Sequence, residues 1–422
     1  MPRERLAAAA RRACLLGLVG LFPGRLAAEP AAKGPWTPTA GLSVKESHDD
    51  NLLLQDQGDQ ARLGSWVTAV TPSVGLGYQG SPALKALFSY APEIARFHSR
   101  PSENYEAHRA ALNLAGQSGA LAWEVPSSAV YTDGSRLGPS FTGGGAIPAI
   151  GGIPIRDRRR ALVLRNGFKA TWAFGRWFLR PTFSSYVHEF RTLQFNPVGA
   201  RAGYENYVSR YELLGGADVG LEAFAKTRLF AGFRTGRQHQ GELLAVPSPY
   251  SNDIQRVLLG AEGSPASWVK FSVVGGPDYR YFAPGTASGF QRRKTFYYYD
   301  ASLTLTPGRA DTVALSAKRY AQPAFSSQSL YEDVLYDLSW KHRLAEPLTA
   351  GAGFRTYAGL WLQPVQRRDW IYTASLFLGY APSKRLGVDL AYSRDWVSSA
   401  VADTSGREFM RHIVSLEARC GF

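Results

Sequence analysis

Cysteine is nearly absent from this chain. Its 422 residues hold two, Cys14 and Cys420. That excludes a disulfide framework, a thiol pair and a cysteine-based metal site. Cys14 lies at the start of the apolar part of an N-terminal leader, not after it, so it is not a lipoprotein acceptor. Long hydrophobic runs are missing too. Beyond the leader nothing approaches the ~18 continuous apolar residues of a membrane-crossing helix. The seven histidines, His48, His98, His108, His188, His239, His342 and His412, are scattered without zinc spacing. There is no G-x-S-x-G elbow and no phosphate loop. Ser184 with His188, or Ser102 with His98, are pairings that any chain of this length offers by chance. The expectation is a non-enzyme with no cofactor and no metal.

The N-terminus reads as an export signal. Arg3, Arg5, Arg11 and Arg12 precede an apolar stretch from Ala13 to Phe22, the size of a signal-peptide core and too short to span a bilayer. Leu26-Ala27-Ala28 is an acceptable cleavage site. Residues 1–28 are therefore expected to be a signal peptide for the Sec pathway, and residues 29–35 a short periplasmic lead-in. A leader of net +4 leaves +10 of the chain's formal +14 on the remainder. That positive charge is spread along the chain rather than clustered on one face. Together with export, this argues against a nucleic-acid partner.

From Trp36 onward the dominant pattern has period two. Trp66, Thr68, Val70, Pro72, Val74, Leu76 and Tyr78 share one parity, with Ala69, Thr71, Ser73, Gly75 and Gly77 between them. Leu162, Leu164, Phe168, Ala170 and Trp172 alternate with Arg165, Gly167, Lys169 and Thr171. Val334, Tyr336, Leu338 and Trp340 alternate with Asp337, Ser339 and Lys341, and Leu386 to Tyr392 behaves alike. Such segments are strands with one apolar and one polar face. Short turns fall near Gly80, Gly116, Gly175, Lys226, Pro265, Pro307, Pro347 and Pro382. Longer loops fall at Asp49–Gly64, His98–Asn104, Thr132–Asp157, Gln194–Glu205, His239–Asn252, Pro284–Arg292, Gln322–Gln328, Gln363–Asp369 and Ser398–Gly406. Eight short turns interleaved with nine long loops imply eighteen strands, with sixteen as the nearest alternative. An even number, with turns at one end and loops at the other, is the pattern of a transmembrane antiparallel up-and-down β-barrel. The expected fold is all-β, one barrel over residues 36–422. The apolar fraction of 45% and mean hydropathy of −0.20 fit, because alternating lipid-facing and lumen-facing residues cancel in the average. A β-propeller would repeat a motif every ~40–50 residues, and none recurs.

The chain ends on this pattern. Val414, Leu416, Ala418, Cys420 and Phe422 share one parity; Ile413, Ser415, Glu417, Arg419 and Gly421 take the other. The ending resembles the terminal strand of bacterial outer-membrane barrels, in which the last Phe is part of the signal read by the barrel-assembly machinery. Near the N-terminus, Lys45-Glu46-Ser47-His48-Asp49-Asp50-Asn51 is followed by Val70-Thr71-Pro72-Ser73-Val74 and then Tyr90-Ala91-Pro92. Over residues 40–110 this is similar to a family of Gram-negative outer-membrane β-barrel porins, some linked to exopolysaccharide synthesis and export. His48 stands where that family more often has an aromatic. The resemblance implies localisation in the cell outer membrane and a passive channel; the alternative is a conduit or scaffold of a surface exopolysaccharide system.

With that parity, the lumen receives Lys85, Arg109, Arg165, Lys169, Arg180, Arg228, Arg234, Lys270, Arg280, Lys318, Lys341, Arg355 and Arg419. It also receives Glu124, Asp218, Glu222, Asp278, Asp300, Asp337, Asp389 and Glu417. An excess of bases favours anions or anionic polysaccharide; pairing across strands would weaken that field. Basic clusters at strand tops, Arg156 with Arg158, Arg159 and Arg160, then Arg292, Arg293 and Lys294, and Arg367 with Arg368, are candidates for lipopolysaccharide phosphates. Thr132–Asp157, rich in glycine, is either a surface loop or a constriction folded into the lumen. Asp49-Asp50-Asn51 lacks calcium-loop spacing, and strand-end hydrogen bonding is its expected role. No lipid-facing patch in the sequence marks a subunit interface.

Overall fold

The computed structural model describes residues 34–54, 56–57, 61–134, 159–191, 207–224, 226–243, 245–284, 290–324, 328–363, 366–400 and 408–422. The expected leader and cleavage site, Arg156, Arg158 and most of Thr132–Asp157 lie outside them. Eighteen strands follow one another: β1 (Trp36–Asp49), β2 (Ser65–Ser81), β3 (Leu84–Phe97), β4 (Tyr105–Ser118), β5 (Leu121–Gly134) and β6 (Arg159–Phe174). Then come β7 (Trp177–Phe190), β8 (Arg210–Phe224), β9 (Thr227–Gln240), β10 (Asn252–Ala266), β11 (Val269–Phe282) and β12 (Arg293–Leu305). The last six are β13 (Asp311–Pro323), β14 (Leu330–Ala345), β15 (Leu348–Gln363), β16 (Arg367–Ser383), β17 (Leu386–Ser399) and β18 (Met410–Gly421). Each pairs antiparallel with its sequence neighbour, and β1 also pairs with β18, which closes one 18-stranded barrel.

The eight expected turns all fall at one end and the nine expected loops at the other, although the β15–β16 connection, between Gln363 and Arg367, is itself short. Outer-membrane barrels place the short turns in the periplasm, and the ends are named accordingly. Turn chemistry follows residue type: Gly119 and Gly175 adopt φ of +56° and +64°, open to glycine without steric cost. Strands run from 12 to 17 residues. At ~3.4 Å per residue and barrel tilt they exceed an apolar band of about 25 Å, so they project beyond the membrane.

Large apolar side chains point outward and stay exposed: Val74, Leu76, Phe168, Leu229, Leu259, Leu376 and Leu416 among them. Such a surface suits lipid, not water. Trp36, Trp172, Trp177, Trp268, Trp340 and Phe422 ring the periplasmic end; Trp66, Tyr279, Tyr297 and Tyr336 lie toward the other. These are the two aromatic girdles of a membrane barrel. Phe422 joins the closing seam: its N–H donates to the Ala40 carbonyl at 2.8 Å, and its ring faces outward.

Buried apolar side chains gather inside the barrel at its extracellular end. Leu54 from the β1–β2 connection packs with Tyr357, Ile371, Val397 and Phe409. Leu52 packs with Val67, Ala95 and Phe97. A third cluster joins Tyr250, Phe282, Phe290 and Phe296 to Ala321 and Leu330. The interior is therefore not one evenly water-filled tube; chain folded inward occupies part of its extracellular half.

Candidate functional site in the barrel lumen

Strand register decides which charges share the lumen. Arg180 on β7 stands opposite Asp218 on β8, and Asp218 opposite Gly232 on β9. The Arg180 Nε–H donates to Asp218 Oδ2 at 2.8 Å, and its Nη1–H to Glu262 Oε1 on β10 at 2.6 Å. Arg234 meets the other Asp218 oxygen at 2.7 Å. Gly232 makes room for this, since a Cβ there would lie 2.2 Å from Asp218 Oδ1. The Arg180 guanidinium also stacks over Phe230 at 4.6 Å and Phe178 at 5.2 Å from the ring centroids, which favours a delocalised cation.

A second knot lies beside it. Arg280 donates twice to Asp278, at 2.9 and 2.7 Å, and Arg256 donates to the same carboxylate at 2.8 Å. Arg256 sits 3.8 Å over Tyr298. These groups are nearly fully buried, and charge buried in this way is retained only when paired and hydrogen-bonded. Between the two knots and β4–β6 lies a cavity of about 780 Å³, reached by Arg165, Lys169, Arg210, Arg234, Lys318, Tyr186 and Tyr320.

The remaining sequence candidates fall as follows. Arg109 pairs with Glu93 at 3.0 Å, Lys169 with Glu124 at 2.7 Å and Lys318 with Asp300 at 3.0 Å. Arg228 reaches Glu262 at 4.0 Å; Arg355 pairs with Asp337 and Arg419 with Asp389. Arg165 lies 5.2 Å from the Tyr186 ring centroid. Lys85 faces the lumen opposite Ala115. Among the described residues Lys85, Arg165, Lys270 and Lys341 have no ion-pair partner, and on the acidic side neither do Glu222 and Glu417, although Glu417 accepts from the Ser43 hydroxyl at 2.6 Å. At the rim, Arg159 begins β6, and Arg160 pairs with Asp133 on the outer face at 3.0 Å. The Arg292 Nε–H donates to the Phe282 carbonyl at 3.3 Å, Arg293 is exposed at the start of β12, and Lys294 turns inward over Phe290 and Phe296. Arg367 is held by Asp369 at 2.7 Å and lies over Trp361.

Sequence reasoning missed Arg210, Arg256, Glu262 and the Asp49–Arg411 pair. The parity of β10, had it been followed from Asn252, reveals Arg256 and Glu262. The Asp49–Arg411 bidentate contact, at 2.9 and 2.6 Å, joins residues 362 apart and exists only because β1 meets β18. Asp50 and Asn51 also hydrogen-bond at this seam: Asp50 accepts from the His412 N–H at 2.6 Å, and the Asn51 amide donates to the Met410 carbonyl at 2.8 Å.

No protein-family model matches the chain, and no curated protein does. Solved structures do. The outer membrane protein OpdK of Pseudomonas aeruginosa is 10% identical over 92% of this chain and 99% of its own, with a TM-score of 0.43. OccAB3 of Acinetobacter baumannii is 12% identical over 91% and 99%, with a TM-score of 0.44. The copper transporter OprC is 10% identical over 93% and 82%, with a TM-score of 0.48. The barrel assignment rests on the chain's own strand pairing.

Proposed function

We propose that this protein is an outer-membrane channel, porin-like, through which small solutes diffuse with a weak preference for anions. The observation that carries the reading is the closed barrel with an apolar exterior and a cluster of charged side chains around a cavity in its lumen. Close pairing of most lumenal charges argues for weak selectivity. Arg165, Lys85, Lys270 and Lys341 supply the positive balance, opposed in part by Glu222 and Glu417. On this reading the leader directs Sec export and is removed, and the barrel-assembly machinery reads the strand ending in Phe422. Arg160, Arg292 and Arg293 contact lipopolysaccharide at the rim. The exopolysaccharide conduit has no observation of its own in the structure.

Purified protein in planar bilayers tests the proposal. Discrete conductance steps are expected, with a small reversal potential of anion sign across a potassium chloride gradient. Absence of steps under every condition sinks the channel reading. A cation-sign potential removes the anion preference and leaves the channel.

A further inference from the structure

One seam of the barrel wall is only half closed. Pairing between β12 and β13 runs from Leu305↔Val313 to Tyr299↔Arg319 and stops. Both strands continue: β12 stays on β11 up to Arg293, and β13 stays on β14 up to Pro323. The Phe282 N–H bonds the Arg292 carbonyl. Alternation along β12 therefore points the backbone groups of Arg293, Thr295 and Tyr297 toward the place β13 has left. On β13 the Ala324 N–H bonds Ser329, so the backbone groups of Ala321 and Pro323 face the same seam. Continued register would set Tyr297 opposite Ala321 and Thr295 opposite Pro323.

The end of β13 and the start of β14 bend into the lumen instead, and other groups replace part of the lost ladder. The Ala321 carbonyl accepts from Arg280 Nη2 and Gln238 Nε2, both at 3.2 Å. The Pro323 carbonyl accepts from Arg210, and the Ala324 carbonyl from Gln240 Nε2 at 2.6 Å. Pro323 has no N–H to leave unpaired when β12 is given up. The outward faces of Ala321 and Leu330 rest on Phe282 and Phe296, which point inward from β11 and β12. The wall thus overlaps itself. Consecutive residues Leu330–Val334 are all buried, and the alternation of a simple barrel strand is lost there.

We propose that this hairpin is the channel's gate, an inference that rests on the channel reading above. Docked, it occupies the extracellular half of the lumen. Released, β13 pairs with the free edge of β12, the wall closes in continuous register and the lumen clears. The Ala321 and Pro323 carbonyls accept hydrogen bonds in both states, from Arg280, Gln238 and Arg210 in one and from the β12 backbone in the other. Release gives the β12 edge its ladder and takes these acceptors from the three side chains, an exchange suited to switching.

Three variants in planar bilayers test this, each checked for a folded barrel by its heat-modifiable mobility on unboiled gels. Gln240→Leu removes one docking bond. Pro323→Val adds an N–H that β12 can pair and the docked state sets against Arg210. Replacing residues 324–329 by two glycines removes the tip. The wild type is expected to dwell in a small conductance with rare large openings. The fraction of time in the large state should rise several-fold in Gln240→Leu and Pro323→Val, and the shortened hairpin should hold the large state. Folded variants with wild-type conductance and dwell times overturn the gate while leaving the channel standing. Absence of steps in every protein, the shortened one included, overturns both.

Discussion

The two ends of this barrel obey different rules. At the periplasmic end, turns are tight and ion pairs such as Lys169–Glu124 and Arg419–Asp389 keep partly exposed side chains, with the Arg180–Asp218 pair as the buried exception. At the extracellular end, chain folds inward, apolar clusters fill interior space, and pairs such as Arg411–Asp49 are almost wholly buried. The same eighteen strands carry both regimes. The difference shows that a lipid-facing exterior does not dictate a hollow interior. Where loops and one hairpin can reach the axis, the interior gains a core of its own.

That contrast predicts unequal responses to substitution. The largest effect is expected at the closing seam: Asp49→Ala strands the Arg411 guanidinium in a buried site and should cost about 3–5 kcal/mol, seen as a lower denaturation midpoint of the detergent-solubilised barrel. Next comes Leu54→Ala, which opens a cavity in the inner cluster and should cost about 2–4 kcal/mol. Leu416→Ala, on the lipid face, should cost clearly less; equal losses at the two positions would erase the proposed distinction between core and exterior. At the wet end, Lys169→Ala should change stability by less than about 1 kcal/mol. Two further changes separate assembly from permeation. Removing Phe422 should reduce the amount of heat-modifiable barrel in the membrane, while Arg419→Ala should alter ion selectivity in bilayers with that amount unchanged. The reverse result would exchange their roles.

The barrel itself was legible in the residues. The His98–Asn104 loop coincides with the gap between β3 and β4, and the turn at Gly175 separates β6 from β7. The choice between eighteen and sixteen strands falls to eighteen. This succeeded because the signal is local: a period of two and a glycine or proline turn are visible within a dozen neighbouring residues. The lumenal partners were less legible. Arg180 reaches Glu262 two strands beyond Asp218, and no spacing along the chain encodes that diagonal. The overlap at β12 and β13 was invisible, because the point at which two paired strands part is set by contacts across the lumen and not by local periodicity.

What the sequence determined alone is the barrel pattern, the turn positions and which side chains face lipid, since each follows from backbone periodicity and the conformational limits of glycine and proline. What only the tertiary structure decided is which charges neutralise each other and where the interior is dry. Barrel closure brings Asp49 to Arg411, and the inward bend of one hairpin sets the carbonyls of Ala321 and Pro323 against Arg280, Gln238 and Arg210. Those contacts join residues tens to hundreds of positions apart, and they form because buried charges and carbonyls must find partners in space rather than along the chain.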